Sequence, residues 1–230
     1  MKERIPIVRW EGGIPEHRID DVAQERKVTI TRGTYTFTTY ATPCAYEDLA
    51  TGHLHAEGIE RSCIPAITVT HHQGYDQIDA HGTGGTWEHI APQHLTVAAS
   101  AIVRMAAFAA SASPLFEDTG AFHYAFMFDG EGTCVAEAPD IGRFNAIDKA
   151  AGSCIRKGMA LNDKVLFTTG RISVRTIGKA QALGIPAIVS KAPPFLEAIA
   201  LARQAGITVI GFARKGRFTL YTEGAAEVEG

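Results

Sequence analysis

No stretch of the 230-residue chain approaches the ~20 consecutive apolar residues that a membrane-spanning helix requires. The opening MKERIPIVRWEGG also lacks the continuous apolar segment of a secretion signal. Both absences lead us to expect a cytoplasmic protein with no membrane partner. An excess of one charge is missing as well. The 25 acidic and 22 basic residues are mixed along the chain and leave a formal charge of -3, so no long-range field selects nucleic acid or an anionic bilayer. Cysteine is scarce: Cys44, Cys63, Cys134 and Cys154 are far apart and form no C-x-x-C pair, which argues against a disulfide framework and a structural zinc site. The glycine-rich Gly82 to Thr86 lacks the G-K-[ST] ending of a phosphate loop. His55-Ala-Glu57 has the H-x-E of zinc deaminases without the P-C-x-x-C that completes such a site. His71, His72, His81, His89 and His94 have no regular pairing to fix metal geometry and read as solvated loop histidines.

What is present is a chain that is 46% hydrophobic, enough for a substantial core. We read a small annex over 1–65 and a main α/β unit over 66–230. Residues 27–32 and 34–40 are rich in β-branched and aromatic residues about Gly33, a hairpin. Thr42 is placed to cap a following helix, with Pro43 at its first position, Glu47 and Asp48 in its first turn, and Gly58 as its stop. Short strands are expected over 66–70 and 75–80, followed by a loop over 81–86. The spacing of Leu95, Ala98, Ile102, Met105 and Ala109 predicts a buried helix over 94–112. Then come strands over 122–128 and 133–138, a helix over 143–156, strand 164–169, helix 174–183, strand 186–190, helix 194–205, and strands 207–212 and 217–222. Alternation with short loops implies a partly parallel sheet with right-handed crossovers.

Ligands of such sheets bind beyond the carboxyl ends of the parallel strands. That rule selects three loops: Thr169-Gly-Arg-Ile-Ser173, Ser190-Lys-Ala-Pro193 and Ala213-Arg-Lys-Gly-Arg217. Backbone amides freed by glycine, with Arg171, Lys191, Arg214 and Arg217, suit phosphate oxygens, so a phosphate-bearing ligand is expected. Among the thiols, Cys44 lies near a helix start, where a thiolate is favoured. Cys63 has only Arg61 close in sequence to activate it, and Cys134 and Cys154 read as core.

Several segments together resemble one family. Thr119-Gly120 with His123 is similar to a T-G-x-x-H segment, and Asp140-Ile-Gly-Arg-Phe-Asn-Ala-Ile-Asp-Lys149 to D-V-G-R-H-N-A-V-D-K. Gly211-Phe-Ala-Arg-Lys-Gly-Arg217, running on to Tyr221-Thr222, resembles G-F-x-R-x-G-R-x-x-x-Y-T. Upstream, Thr42-Pro43, Glu47, Leu49, Gly52 and Glu57-Gly58-Ile59 resemble T-P-x-x-x-E-x-L-x-x-G-x-x-x-x-E-G-I. These are segments of the formate dehydrogenase accessory sulfurtransferase family (FdhD/NarQ), matched in order over about residues 20 to 222. The resemblance implies a three-layer α/β/α, cytidine-deaminase-like fold with a mixed sheet, and a homodimer. It implies a molybdenum-bis(guanine dinucleotide)-type cofactor or guanine nucleotide as ligand, and a cysteine desulfurase and a formate dehydrogenase as partners. The cofactor-binding segment carries over to Phe212, Ala213, Arg214, Lys215, Gly216 and Arg217, with Arg171, His123, Asp140 and Arg143 as further contacts.

The chain departs from the family at its chemistry. Where the family has a mobile C-G-x-C-G loop bearing persulfide, this chain has residues 82–89 and no cysteine between Cys63 and Cys134. The histidine of D-x-G-R-H-N is Phe144, which removes a titrating group. For Asp140, Arg143, Asp148 and Lys149 two readings stand: a polar cluster orienting cofactor or partner, or a capping Asp140 with Asp148 and Lys149 as solvated charge. The leading expectation is a carrier of the guanine-dinucleotide cofactor for molybdoenzyme maturation. The alternatives are a sulfurtransferase that uses Cys44 or Cys63, and a non-catalytic interaction subunit.

Overall fold

The computed structural model describes residues 1–60, 62–86, 89 and 91–230. The chain opens with an element not foreseen above. Strands β1 (Lys2–Glu11) and β2 (Ile14–Ala23) pair antiparallel in a two-stranded arm. Its turn is Gly12-Gly13 at φ 59° and 84°, the positive values that a two-residue hairpin turn demands. The expected hairpin about Gly33 follows as β3 (Arg26–Arg32) and β4 (Tyr35–Ala41).

Helix α1 (Tyr46–Ala56) starts later than Thr42. Its N-cap is Ala45, left-handed at φ 49° and without side-chain capping. Thr42 fails as a cap because it is engaged elsewhere: its hydroxyl accepts from Ile141 N (3.1 Å) and its own amide donates to Asp140 Oδ2 (3.1 Å). Gly58, at φ 70°, lies just past the helix end.

Strands β5 (Cys63–His71) and β6 (Tyr75–Thr86) are longer than their hydrophobic runs, and the loop expected over 81–86 is instead strand. Thr86 and Gly85 pair with Cys63 and Ile64, and the register shifts between Ile64 and Ala66, around Pro65. Proline cannot donate to a ladder, and Gly82 supplies the positive φ (52°) on the opposite strand, so the irregularity lets pairing resume beyond it. These strands complete a four-stranded sheet of order β4-β3-β6-β5, covered by α1. A boundary at residue 65 falls inside β5, and strands from both sides of it share this sheet.

The helix expected over 94–112 is also corrected. Residues Leu95–Ala98 form strand β7, parallel to the last strand, β14 (Ala226–Glu229), and α2 runs over Ala99–Ser111. Only one face of α2, with Ala101, Ile102, Met105 and Ala109, is buried. A short helix α3 (Pro114–Thr119) follows.

The rest of the chain agrees closely with the sequence reading: β8 (His123–Phe128), β9 (Cys134–Asp140), α4 (Arg143–Arg156), β10 (Val165–Thr168), α5 (Val174–Ala182), β11 (Ala187–Ser190), α6 (Leu196–Ala205), β12 (Thr208–Arg214) and β13 (Arg217–Thr222). Their sheet has the order β13-β12-β11-β10-β8-β9, with β10, β11 and β12 parallel and the remainder antiparallel. Alternate residues divide between two cores. Ala125, Met127, Leu166, Ile188 and Val209 face α4, α5 and α6, whereas Tyr124, Phe126, Phe128, Phe167 and Val189 face α2. A buried sheet with helices on both faces is a three-layer α/β/α arrangement.

Candidate functional site

The carboxyl ends of β10, β11 and β12 meet above α2 around a cavity of about 540 Å³, within the usual range for small-molecule pockets. Each of the three selected loops contributes: Thr169 after β10, Lys191 after β11, and Ala213 to Gly216 at the β12–β13 turn. The opposite wall is α2, through Val103, Ala106 and Ala110, beside its buried face. Sequence reasoning missed that wall, because its alanines read as close packing. The β12–β13 turn is shaped by residues with positive φ, Phe212 (52°), Lys215 (52°) and Gly216 (75°), in a hairpin whose register shifts between Gly211 and Arg214. Lys191 is half-buried over the Phe116 ring at 4.7 Å, and burial lowers its pKa.

Other expected contacts lie elsewhere. Arg217 is exposed opposite Arg214, and Arg171 is exposed and stacked on Phe195 at 5.0 Å; neither lines the cavity, nor does Phe212. His123 and Arg143 line a second pocket on the far side of Thr169. His123 Nδ1 lies 3.3 Å from Thr169 Oγ1, so this pair forms a wall between the two spaces. Burial, and then the positive charge of Arg143 and Lys191, hold the imidazole of His123 below its ordinary pKa.

Asp140 is fully buried and lines neither space. Its carboxylate accepts from Lys149 Nζ (2.6 Å), Gly142 N (2.8 Å), Asn145 Nδ2 (3.1 Å) and Thr42 N (3.1 Å). It therefore ties the β9–α4 turn to the β4–α1 turn and is not the N-cap of α4, a place taken by Gly142. The solvated reading of Asp148 and Lys149 is corrected too, since both are buried. Asp148 pairs with Lys179 (2.8 Å) and with His53 Nδ1 (3.3 Å) beneath α1. Burial opposes its charge, but Lys179 and His53 outweigh it and lower its pKa.

The thiols divide similarly. Cys134 and Cys154 are pushed up to about 11, chiefly by burial. Burial and Glu60 also raise Cys63, although Arg32 Nη2 is 3.7 Å from its sulfur. Arg61, its expected activator, lies outside the described residues, as do Trp87 and Glu88 of the segment that replaces the cysteine loop. Cys44 is half-buried in the β4–α1 turn, with Lys149 Nζ 3.7 Å from Sγ.

Fold and site together define a three-layer α/β protein whose cavity sits at the ends of its parallel strands and is rimmed by basic residues. The comparisons narrow that class. A model of the FdhD/NarQ family matches residues 68–227. Sulfur carrier protein FdhD of Staphylococcus aureus strain MRSA252 is 30% identical over 247 aligned residues, covering 94% of this chain and 93% of that protein; its counterpart in strain Newman matches to the same extent. The chain belongs to the FdhD/NarQ family. A solved structure of a formate dehydrogenase accessory protein from Desulfotalea psychrophila shares the fold, with a TM-score of 0.82 at 22% identity over 96% of each chain. Among the described residues no helix is long and apolar enough to cross a membrane.

Proposed function

We propose that this protein is a formate dehydrogenase accessory protein that carries a molybdenum-guanine-dinucleotide-type cofactor as its cargo, seated in the α2 cavity. The observation that carries the reading is the composition of that cavity. An apolar wall from Val103, Ala106, Ala110 and Phe167 faces a rim of Lys191, Arg214, Lys215 and Thr169. A flat heterocycle suits the first surface and phosphate oxygens suit the second. The family's cofactor-binding segment falls on the same turn. The relatives' name, sulfur carrier, and that of the solved neighbour, formate dehydrogenase accessory protein, supply the biological setting.

Calorimetric titration of GDP, with ATP as control, tests this reading. GDP alone is expected to bind and to raise the melting temperature by mass action. Arg214→Ala, at an exposed rim position, should weaken binding at least about tenfold, as loss of a charge-assisted contact does, whereas Arg217→Ala should leave it nearly unchanged. Absence of GDP binding to the wild type would sink the reading.

One observation favours sulfur transfer as a second reading. Cys44 differs from the other three thiols in having an ammonium, Lys149 Nζ, at 3.7 Å. A desulfurase persulfide would pass its outer sulfur to the Cys44 thiolate and leave as thiolate itself. Labelled sulfur retained by the wild type and lost in Cys44→Ala supports this route; equal labelling of the two excludes it.

A further inference from the structure

The second pocket, of about 280 Å³, opens between β4, the start of β8 and the first turn of α4. It is lined among others by Tyr40, His123, Gly142, Arg143, Asn145 and Arg175. We propose that it is an oxyanion site that takes a phosphate group, geometrically distinct from the α2 cavity.

Charge is the first ground. The pocket carries two guanidiniums and no carboxylate in its lining. Asp140, just beneath, is saturated by its four donors. Glu57 meets Arg175 only at 3.5 Å, between side chains that are 48% and 34% exposed, so that pair is weak and leaves Arg175 able to turn.

Arg143 is the second ground. It is half-buried, its Nε is buried without a hydrogen-bond partner, and it makes no ion pair among the described residues. A guanidinium N–H removed from water and given no acceptor is costly, and a bound oxyanion relieves that cost. Its placement is built into the backbone: a Cβ at Gly170 would come within 2.9 Å of Arg143 Cδ, so the arginine stem occupies room that only glycine leaves. Phe144, standing where the family has histidine, takes both guanidiniums against its ring, Arg143 at 4.6 Å and Arg175 at 4.7 Å. Both like charges are thus anchored to one ring in the lining of the pocket, and a polyoxyanion there would offset their repulsion.

The backbone supplies the third ground. Helix α4 is 14 residues long and its N-cap, Gly142, offers no side chain, so the amides of its first turn have no side-chain cap, and that turn lines the same space as the guanidiniums. Asn145 Nδ2 is already spent on Tyr40 O (2.8 Å) and Asp140, which orients this turn and leaves the arginines and amides as donors. That many donors exceed what one carboxylate can accept and match the three or more oxygens of a phosphate.

The assignment does not depend on the nucleotide reading of the α2 cavity. Its test is calorimetric titration of inorganic pyrophosphate into the full-length protein, its Arg143→Gln variant and its Arg175→Gln variant, each checked by circular dichroism for an unchanged fold. Arg175 is exposed, so its variant remains informative if Arg143→Gln folds poorly. Pyrophosphate is expected to bind the wild type and to bind each variant at least about tenfold more weakly. No binding to the wild type, or equal affinity in the wild type and a folded variant, overturns the proposal. Repeating the titration with GDP present identifies the source of the phosphate. Continued pyrophosphate binding marks a free-standing oxyanion, and displacement marks the diphosphate of a nucleotide that reaches past His123; the pocket stands in both cases. Pyrophosphate binding without GDP binding would remove the nucleotide reading alone.

Discussion

The β1–β2 arm and the seam between α1 and α4 are both pairs of elements lying side by side, ten-residue strands in one and helices of 11 and 14 residues in the other. The arm leaves Trp10, Ile14 and Ile19 more than 60% exposed and holds its charges in water. The seam buries His53, Asp148 and Lys149 together with Lys179 of α5, while its rim, at the Asp48–Arg156 pair, reaches water. Pairing alone therefore does not secure an element; what lies on its second face does. Among the described residues the arm's main neighbour is α3, beside β2, whereas the seam is enclosed by the four-stranded sheet over α1 and by β8 and β9 of the six-stranded sheet under α4, with α5 against α1. That enclosure makes the seam able to fix the β9–α4 turn, and with it Arg143, from below.

The largest effect is expected where the two seam helices touch. An added Cβ at Gly152 would lie 1.9 Å from Asp48 O, and one at Gly52 would lie 1.8 Å from Asp148 O. Both obstacles are backbone and cannot rotate away. Gly152→Ala should therefore exceed the ~1–3 kcal/mol typical of overpacking and cost more than about 5 kcal/mol. Chemical denaturation would measure it; a loss below about 1 kcal/mol would mean that the helices do not approach this closely in solution.

Lys149→Met comes next. It removes the ammonium that faces Asp140 at 2.6 Å with both side chains nearly inaccessible, and leaves a buried carboxylate uncompensated. A loss of about 3–5 kcal/mol is expected. Combining it with Asp140→Asn should restore part of that loss, because the stranded charge is gone while the amide oxygen still accepts from Gly142 N; Thr42 N, which donates to the other carboxylate oxygen, loses its acceptor, so the rescue is incomplete. Equal instability of the single and double variants would show that the hydrogen bonds, and not the charge, hold the two turns together.

This contrast also explains which parts of the molecule were legible in the sequence. Residues 123–222 could be followed element by element, and α4 at its observed bounds, because short connections link strands buried on both faces and helices with a regular apolar stripe. The errors lie where a distant partner decides the outcome. Leu95–Ala98 is helical in spacing, yet it becomes strand because Ala226–Glu229, at the other end of the chain, lies beside it. Residues 81–86 carry three glycines and read as loop, yet β5 supplies a ladder that no local pattern announces. Lys149 and Asp148 are adjacent charges on a helix, ordinarily a solvated pair, until α1 covers them. The site divides in the same way. The loops at the strand ends were found from the topology of the parallel sheet, while the α2 wall and Arg175, brought in by other elements, were not.

The smallest effect is expected in the arm. Trp10 is 68% exposed and packs into none of the three hydrophobic cores, so Trp10→Ser should change stability by no more than about 0.5 kcal/mol, the usual range for surface substitutions. A thermal melt would register at most a degree or two in a chain of this size. The mutation is useful because the comparison predicts a difference and not only a small number: Lys149→Met should move the melt by several degrees and Trp10→Ser hardly at all. If the tryptophan variant instead falls as far as the seam variant, the arm does not project into water in solution. Its apolar residues would then be covered, and enclosure would govern the arm as it governs the seam.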